Sequence, residues 1–142
     1  VIVARVDARS VTGFDDAVIR AQAYAAAGAD VVFPEALESV EEFASFARKL
    51  DVPLVANMTE FGRSPLLSVG ELGAIGYRMI LYPVTALRVA LRATERALAH
   101  IRAEGTQASL VPDMMTRTRL YEILSYSDFE ARDRKYFDSV DS

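Results

Sequence analysis

Short apolar stretches rich in β-branched residues recur along the chain, and a segment of helical composition follows each one. The apolar stretches predict strands at residues 1–6, 31–33, 53–57 and 78–82. The intervening segments predict helices at residues 14–27, from 39 to about 50, from 68 to 76, and at 85–104. No Asn-Gly or Asp-Gly hairpin signal separates them. The alternation predicts an α/β fold of right-handed βαβ units around a parallel sheet that is buried on both faces.

Capping signals support the helix boundaries. Ser39 and Glu42 have the spacing of a capping box, in which the hydroxyl accepts the Glu42 N–H and the carboxylate returns to the Ser39 N–H. Ser68 and Glu71 repeat that spacing. Glycines follow the first, third and fourth predicted helices, at Gly28, Gly76 and Gly105.

The pattern changes after Gly105. A helix is predicted at residues 112–124, and another is predicted to be capped by Ser127. Neither is needed to cover the sheet. We therefore expect residues 1–105 to form the α/β domain, and residues 106–142 to form a helical extension that packs against another subunit.

Two architectures fit the four βα units. One is half of a (β/α)8 barrel, and the other is a doubly wound four-stranded sheet; the spacing leaves both open. The chain starts as VIVARVD, without Met and already inside an apolar run. We expect it to be a piece of a longer protein whose upstream part is absent.

Composition excludes several classes of function. The net charge is -4 with no cluster of Lys and Arg, which argues against nucleic-acid binding. No apolar run reaches the roughly 18 residues of a membrane span. The absence of cysteine excludes disulfides and thiolate metal sites in this segment. We expect a cytoplasmic location, because nothing resembles a signal peptide.

Polar side chains follow each predicted strand, most clearly in residues 53–65, PLVANMTEFGRSP. In a parallel α/β fold the carboxyl ends of the strands meet at one edge, where ligands bind. Guanidinium groups bind carboxylates or phosphates in bidentate fashion. A small polyanionic ligand fits this set of side chains, which comprises Arg5, Asp7, Glu35, Asn57, Thr59, Thr85 and Arg88.

Arg5 is the strongest of these candidates. A guanidinium inside an apolar strand requires an anionic partner, which here is Asp7, Glu35 or a ligand. Glu35 fits a binding site and a helix N-terminus equally well, and Arg88 on a helix is by default a surface residue. Without a Ser-His-Asp set, an Asp-x-Asp pair or a glycine-rich phosphate loop, the residues alone indicate anion binding and no defined chemistry.

The same strand ends resemble the isocitrate lyase and phosphoenolpyruvate mutase superfamily, most closely its methylisocitrate-cleaving members. The resemblance covers most of the chain. It rests on the runs VIVARVDAR (1–9), DDAVIRAQAYAAAGADVVFPEA (15–36), VPLVANMTEFGRSPLLSVGEL (52–72), RMILYPVTALR (78–88) and EGTQASLVPDMMTRTRLYEILSY (104–126).

The resemblance implies a (β/α)8 barrel of which this chain supplies strands 5 to 8, together with helices that are exchanged within a homo-oligomer, a dimer of dimers. It implies a Mg²⁺-dependent lyase that splits 2-methylisocitrate, a tricarboxylate, into pyruvate and succinate during propionate breakdown. Arg5 would stabilise the negative oxygen that develops as the carbon–carbon bond breaks, and Glu35 would lie near the hydrated metal. The implied substrate contacts are Arg5, Glu35, Asn57, Met58, Thr59, Arg88 and Arg117.

The family's catalytic Cys, in a Lys-Lys-Cys-Gly-His loop, and its metal-binding aspartates have no counterpart in this chain. We therefore expect the chain alone to be inactive and to need the amino-terminal half of the same barrel. Two alternatives stay open: another superfamily activity, such as an oxaloacetate decarboxylase or a phosphonopyruvate-type enzyme, and a non-catalytic half-barrel that serves assembly.

Overall fold

A computed structural model of the chain describes residues 1–138. Strands alternate with helices, as the sequence predicts, and two 3₁₀ turns lie at Ala8–Ser10 and Ala108–Asp113. The strands are β1 (Val3–Val6), β2 (Val31–Pro34), β3 (Val55–Asn57) and β4 (Met79–Leu81). The helices are α1 (Phe14–Ala26), α2 (Val40–Ala47), α3 (Val69–Ile75), α4 (Thr85–Glu104), α5 (Arg117–Ile123) and α6 (Tyr126–Asp138).

All strand pairing is parallel within the described residues, which confirms the predicted α/β class. β1 pairs with β2 so that Val6 lies opposite Pro34, and β3 pairs with β4 so that Asn57 lies opposite Leu81. One parallel bridge, between Val32 and Leu54, joins the two pairs. The strands therefore lie side by side in chain order.

Helices cover one face of these strands. Because successive side chains of a strand point to opposite faces, every second residue of the strands faces the helices. Phe43 and Phe46 of α2 and Leu72 of α3 fill the space against them, and Phe46 also packs edge-to-face on Phe14, with ring centroids 6.0 Å apart. The residues in or directly beside the strands that join this core are Val6, Val32, Leu54, Ala56 and Met58.

The other face is open at the outer strands, β1 and β4, although valines of β2 and β3 are buried on it, so the expectation that both faces are buried holds only in part. Val3 is 50% exposed there, and Met79 and Leu81 are 39% and 43% exposed. Arg5 lies on the same face, in register with Phe33 of β2. This open face carries the polar groups considered below.

Two predicted helix starts are wrong. The helix expected from residue 112 begins at Arg117, because residues 108–113 form a 3₁₀ turn and Met114 is extended. Thr116 caps α5 by accepting the Arg119 N–H at 3.2 Å. α6 begins at Tyr126, ahead of the predicted Ser127 cap, since Ser125 adopts a left-handed φ of 50° and its carbonyl accepts the Asp128 N–H.

The two capping boxes differ. Ser68 and Glu71 satisfy each other's backbone N–H groups, as predicted. Ser39 accepts the Glu42 N–H at 3.2 Å, but the Glu42 carboxylate accepts from the Glu38 N–H at 2.7 Å instead of returning to Ser39. The prediction for α2 is therefore half right.

The chain divides into two compact units, Val1–Arg92 and a second unit that begins at Ala93. The first contains all the described strands. In the second, Tyr121 stacks on Tyr126 with ring centroids 4.4 Å apart, while apolar side chains such as Leu124 and Phe129 are exposed. The boundary at residue 105 and the packing of the extension on another subunit stay predictions. None of the described helices combines the length and apolar character that crossing a membrane requires.

Two glycines of the α3 region are predicted to respond in opposite ways to substitution by alanine. Gly76 ends α3 with φ 115°, a conformation that strains any L side chain, so Gly76→Ala should destabilise the fold by about 1–2 kcal/mol. Gly73 lies inside α3, and a Cβ there would meet nothing within 4 Å, so Gly73→Ala should stabilise by about 0.5–1 kcal/mol. Denaturant unfolding of the two variants tests this, and shifts of the same sign would contradict the assignment of the helix end.

Candidate functional site

Arg5 lies on the open face near the carboxyl end of β1, between two carboxylates. Its Nη2 is 2.7 Å from Asp7 Oδ1 and 3.4 Å from Glu35 Oε2, and its Nε donates to both oxygens of Asp7 at 3.1 Å. The guanidinium also lies over the Phe33 ring, 5.3 Å from its centroid. The prediction that Arg5 needs an anionic partner is confirmed. Its expected burial is wrong, because the side chain is 53% exposed on the open face.

Glu35 directly follows β2 and is bound from two sides. Besides the ion pair with Arg5, its Oε2 accepts a hydrogen bond from Asn57 Nδ2 at 3.2 Å. Its backbone N–H donates to the Val6 carbonyl, which holds the end of β2 against β1. The next residue, Ala36, has a left-handed φ of 57°, so the chain turns sharply at this point.

Asn57 ends β3 and contributes an unsatisfied group. Its Oδ1 is buried and has no hydrogen-bond partner among the described residues. Buried amide oxygens without a partner are uncommon in folded proteins, and a missing ligand or water is one of their ordinary explanations. Among the cluster's side chains within residues 1–138, Asn57 is therefore the one with a buried polar atom that lacks a hydrogen-bond partner.

The strand register explains why these groups meet. The registers of β1–β2 and of the Val32–Leu54 bridge align the residues that follow Val6, Pro34 and Ala56. Those residues are Asp7, Glu35 and Asn57, so three positions far apart in sequence form one row across the carboxyl end of the strands. Arg5 points to the same face as Asp7, two residues away.

The loop after β3 carries a second group. Thr59 is half-buried and lies close to Gly62: a Cβ added to that glycine would be 3.4 Å from Cγ2 of Thr59. Glu60 accepts a hydrogen bond from the Thr85 hydroxyl, and its Oε2 lies 3.5 Å from Nε of Arg88. The Arg88 guanidinium is 4.9 Å from the centroid of the Phe61 ring. Arg88 is exposed, as the default interpretation of a surface residue expects, and it also pairs with this loop, which binds the N-terminal turn of α4.

One predicted substrate contact, Met58, has its side chain on the other face of the strands. The Met58 side chain is 2% exposed and packs in the core, on the opposite face from Asn57, and its sulfur accepts the Leu67 N–H at 3.3 Å. Adjacent residues of a strand point to opposite faces, so the alternation itself separates the two. Arg117 is the first residue of α5, in the second unit, and its part in the site stays a prediction.

Sequence reasoning missed a network beside the cluster. Arg9 donates to both oxygens of Glu42, with a shortest distance of 2.8 Å, and to Glu38 Oε2 at 3.0 Å. Glu38 also pairs with Arg63 of the loop after β3, at 3.3 Å. The network joins the loops that follow the first three strands. The sequence carries a signal for this network, because Arg9 and Glu38 also follow predicted strands. The capping-box pattern, however, assigns the Glu42 carboxylate to the Ser39 N–H.

The described residues do not form a complete metal site. Within residues 1–138, no three His, Cys, Asp or Glu side chains are arranged to hold a metal ion. Mg²⁺ requires near-octahedral oxygen ligands, of which one or two are usually carboxylates. Of the two carboxylates in the cluster, Asp7 is bound by Arg5 in bidentate fashion, and Glu35 Oε2 is shared by Arg5 and Asn57. These side chains therefore do not fit a directly coordinated ion without ligands from elsewhere.

The ion pairs set the protonation states. The hydrogen bond from Arg5 holds the pKa of Asp7 below its ordinary value, and the smaller effect of burial opposes it. The same bond raises the pKa of Arg5. In the second group, the hydrogen bond from Thr85 lowers the pKa of Glu60. At neutral pH the cluster therefore presents a charged Arg5 guanidinium held by the ionised Asp7 carboxylate.

Comparison with known proteins assigns the family. The model of the phosphoenolpyruvate phosphomutase family matches residues 1–102, which include every strand and the Arg5 cluster. The chain belongs to the phosphoenolpyruvate phosphomutase family. A 2-methylisocitrate lyase from Halalkalibacterium halodurans is 52% identical over 99% of this chain and 47% of its own length. The chain thus spans about half the length of the curated relatives it matches.

Solved structures agree with this family. Oxaloacetate acetylhydrolase in complex with the product oxalate is similar with a TM-score of 0.86 at 32% identity, over 96% of this chain and 47% of that one. Phosphonopyruvate hydrolase in complex with oxalate and Mg²⁺ is similar with a TM-score of 0.81 at 27% identity, over 96% and 49%. The phosphoenolpyruvate phosphomutase fold therefore extends through most of this chain, which covers about half of each solved relative.

The Arg5–Asp7 pair is predicted to be visible in a titration. The Asp7 carboxyl, followed by ¹³C NMR, should titrate below the ordinary value of about 3.9, and Arg5→Ala should raise its midpoint. Because the pKa is depressed in the folded state, the pair's contribution to stability is present above the ordinary value and is lost as pH falls through the lowered pKa.

The control is Arg20→Ala, since Arg20 pairs with Asp16 and should leave the Asp7 midpoint unchanged. An Asp7 midpoint that does not respond to Arg5→Ala would show that the pair is absent in solution.

Proposed function

We propose that this chain is the substrate-binding, carboxyl-terminal half of an oxo-acid lyase that cleaves 2-methylisocitrate into pyruvate and succinate. The observation that carries the proposal is Arg5, which is held by Asp7 and Glu35 beside the unsatisfied amide oxygen of Asn57 on the open face of the strands. The 52% identity to a 2-methylisocitrate lyase supports this choice of substrate.

Arg5 has the catalytic role in this proposal. As the bond between the hydroxyl-bearing carbon of 2-methylisocitrate and the neighbouring carbon breaks, a base removes the hydroxyl proton and the hydroxyl oxygen becomes the pyruvate carbonyl. The electron pair of the broken bond moves into the succinate portion, which an acid then protonates. Negative charge then lies on oxygen atoms. A guanidinium that is already oriented by two carboxylates stabilises that charge without having to reorganise during the reaction.

The remaining contacts orient the substrate. Asn57 has one Nδ2 proton left as a donor to a carboxylate, and its free Oδ1 is an acceptor for the substrate hydroxyl. Thr59 supplies a neutral donor, and Arg88 and Arg117 supply guanidinium groups for the carboxylates. Met58 contributes its backbone and not its side chain, which is buried in the core. Glu35 holds Arg5 and Asn57 in place and lies near the metal without coordinating it directly.

Mg²⁺ is the proposed cofactor of the whole protein. The solved structure of phosphonopyruvate hydrolase with oxalate and Mg²⁺ supports this assignment. The direct ligands, the acid and the base are assigned to the amino-terminal half, because the described residues lack a metal-binding cluster. When bound, the ion would polarise the oxygens of the oxo-acid portion of the substrate.

The same proposal covers assembly and location. The amino-terminal half would complete a (β/α)8 barrel and cover the open face that exposes Val3, Met79 and Leu81. Residues 106–142 would be exchanged between subunits of a homo-oligomer, a dimer of dimers, which would bury side chains such as Leu124 and Phe129. The protein would act in the cytoplasm in propionate breakdown.

A second candidate is hydrolysis or decarboxylation of a smaller oxo acid. The TM-score of 0.86 to oxaloacetate acetylhydrolase favours it. The higher sequence identity to 2-methylisocitrate lyases, and the additional guanidinium of Arg88 at the loop after β3, favour the larger substrate. A non-catalytic half-barrel is the third outcome that the experiment separates.

The predicted result is turnover by the full-length protein and none by residues 1–142 alone. Both are assayed for pyruvate release from 2-methylisocitrate with Mg²⁺, and for release of acetate (hydrolysis) or CO₂ (decarboxylation) from oxaloacetate. In the full-length protein, Arg5→Ala should lower kcat/KM for 2-methylisocitrate about 10²–10³-fold, because it removes the group that stabilises the developing charge.

Arg119→Ala is the matched control, since Arg119 is an exposed arginine that pairs with Glu122 at 2.9 Å. Release of acetate or CO₂ from oxaloacetate without lyase turnover would establish the second candidate. A full-length protein that releases none of these products would contradict both enzymatic functions and favour an assembly module. Turnover by the 142-residue chain would contradict its dependence on the other half.

A further inference from the structure

Glu60 occupies a position that the proposed chemistry has not used. Its carboxylate lies between two groups of the fourth βα unit: the Thr85 hydroxyl donates to Oε1, and Nε of Arg88 lies 3.5 Å from Oε2. The side chain is 21% exposed, so these contacts lie largely out of solvent. Glu60 therefore binds the loop after β3 to the first turn of α4.

Phe61 completes the surroundings of Arg88. Its ring is 90% exposed, and the Arg88 guanidinium lies 4.9 Å from the ring centroid. The backbone of Phe61 has a left-handed φ of 63°, which a bulky L residue rarely adopts. The contacts around Glu60 and Arg88 hold the chain in this conformation, which presents an aromatic face to a cation.

We propose that Glu60 and Phe61 are positioning residues that hold Arg88 in the orientation in which it binds a substrate carboxylate. The proposal rests on the function proposed above. The Glu60 carboxylate lies 3.5 Å from Nε of Arg88, and the Phe61 ring lies against the face of the Arg88 guanidinium. These contacts restrain a long side chain that is otherwise free to rotate, while 44% of it stays exposed.

A carboxylate beside a substrate-binding arginine has two opposing effects. It repels the incoming carboxylate, and it reduces the conformational freedom that binding must remove. The repulsion is screened by solvent at a half-exposed arginine, whereas the restraint acts on every rotatable bond of the side chain. We therefore expect restraint to dominate, which fixes the sign of the effect: loss of the Glu60 charge should weaken substrate binding.

The chain offers a matched control for this pair. Asp16 likewise accepts from a threonine hydroxyl, that of Thr12, and pairs with an arginine Nε, that of Arg20; this second contact is a hydrogen bond at 2.7 Å, whereas Glu60 and Arg88 form an ion pair at 3.5 Å. It repeats the chemistry of Glu60 on α1, away from the loop after β3. Asp16→Asn therefore removes the same type of interaction without affecting Arg88.

The kinetic test uses the full-length protein with 2-methylisocitrate and Mg²⁺. Glu60→Gln retains an acceptor for Thr85 and should raise KM about tenfold while kcat changes less than about twofold, the pattern of lost uniform binding. Glu60→Asp should recover part of the loss. Asp16→Asn should leave both constants unchanged, and Glu60→Gln should have no further effect in an Arg88→Ala background, because its effect acts through Arg88.

A second measurement tests the restraint without any activity. In ¹⁵N NMR spectra of the 142-residue chain, the Arg88 Nε–Hε proton should exchange with solvent more slowly than in the Glu60→Gln and Phe61→Leu variants. If the wild-type full-length protein shows no lyase turnover, the proposed function fails. The Arg88 exchange rate then still decides whether Glu60 restrains Arg88.

Three results would overturn the proposal. One is an Arg88 proton exchange rate that Glu60→Gln does not change. Another is a KM that falls in Glu60→Gln, which would mean that repulsion outweighs restraint. The third is an equal rise of KM in the Arg88→Ala background, which would mean that Glu60 acts on the loop and not through Arg88.

Discussion

The register between parallel strands is the constraint on which the rest of this structure depends. It sends alternate side chains to the helices and to the open face, so Val6 packs in the core while Arg5 is placed beside carboxylates. A slip of one residue would exchange the two faces, placing a guanidinium among apolar side chains and an apolar residue in the site. The same register brings Asp7, Glu35 and Asn57 into one row. Folding and the arrangement of the site therefore have a common cause.

Electrostatic pairing then fixes the side chains that the register brings together. Arg5 has two carboxylate partners and Arg88 has one carboxylate and one aromatic ring, so each cation is oriented before any ligand arrives. The left-handed backbone at Ala36 and Phe61 lies beside these pairs. Strained residues cluster where surrounding contacts determine the conformation, as at a binding site. The two guanidinium groups thus share one design, although they come from β1 and α4.

The sequence predicted most of the fold because its signals are local. Alternating apolar strands and helices, and a helix bounded by Thr85 and Gly105, depend only on neighbouring residues. Arg5 could be identified as needing an anion for the same reason. The partners of Glu42 could not be identified, since Arg9 lies 33 positions earlier and competes with the capping box. The burial of the Met58 side chain follows from strand alternation, a local signal, whereas the family resemblance names Met58 only as a substrate contact.

The arrangement of polar groups on one face and apolar side chains on the other leads to one central claim: ligand carboxylates bind at the open face of the strands. A crystal structure of the full-length protein with pyruvate and succinate tests this claim most directly. The account predicts a product carboxylate within hydrogen-bond distance of Arg5, with the Asn57 amide also in contact. Products bound elsewhere, with the Arg5 cluster covered by protein and free of ligand, would contradict it.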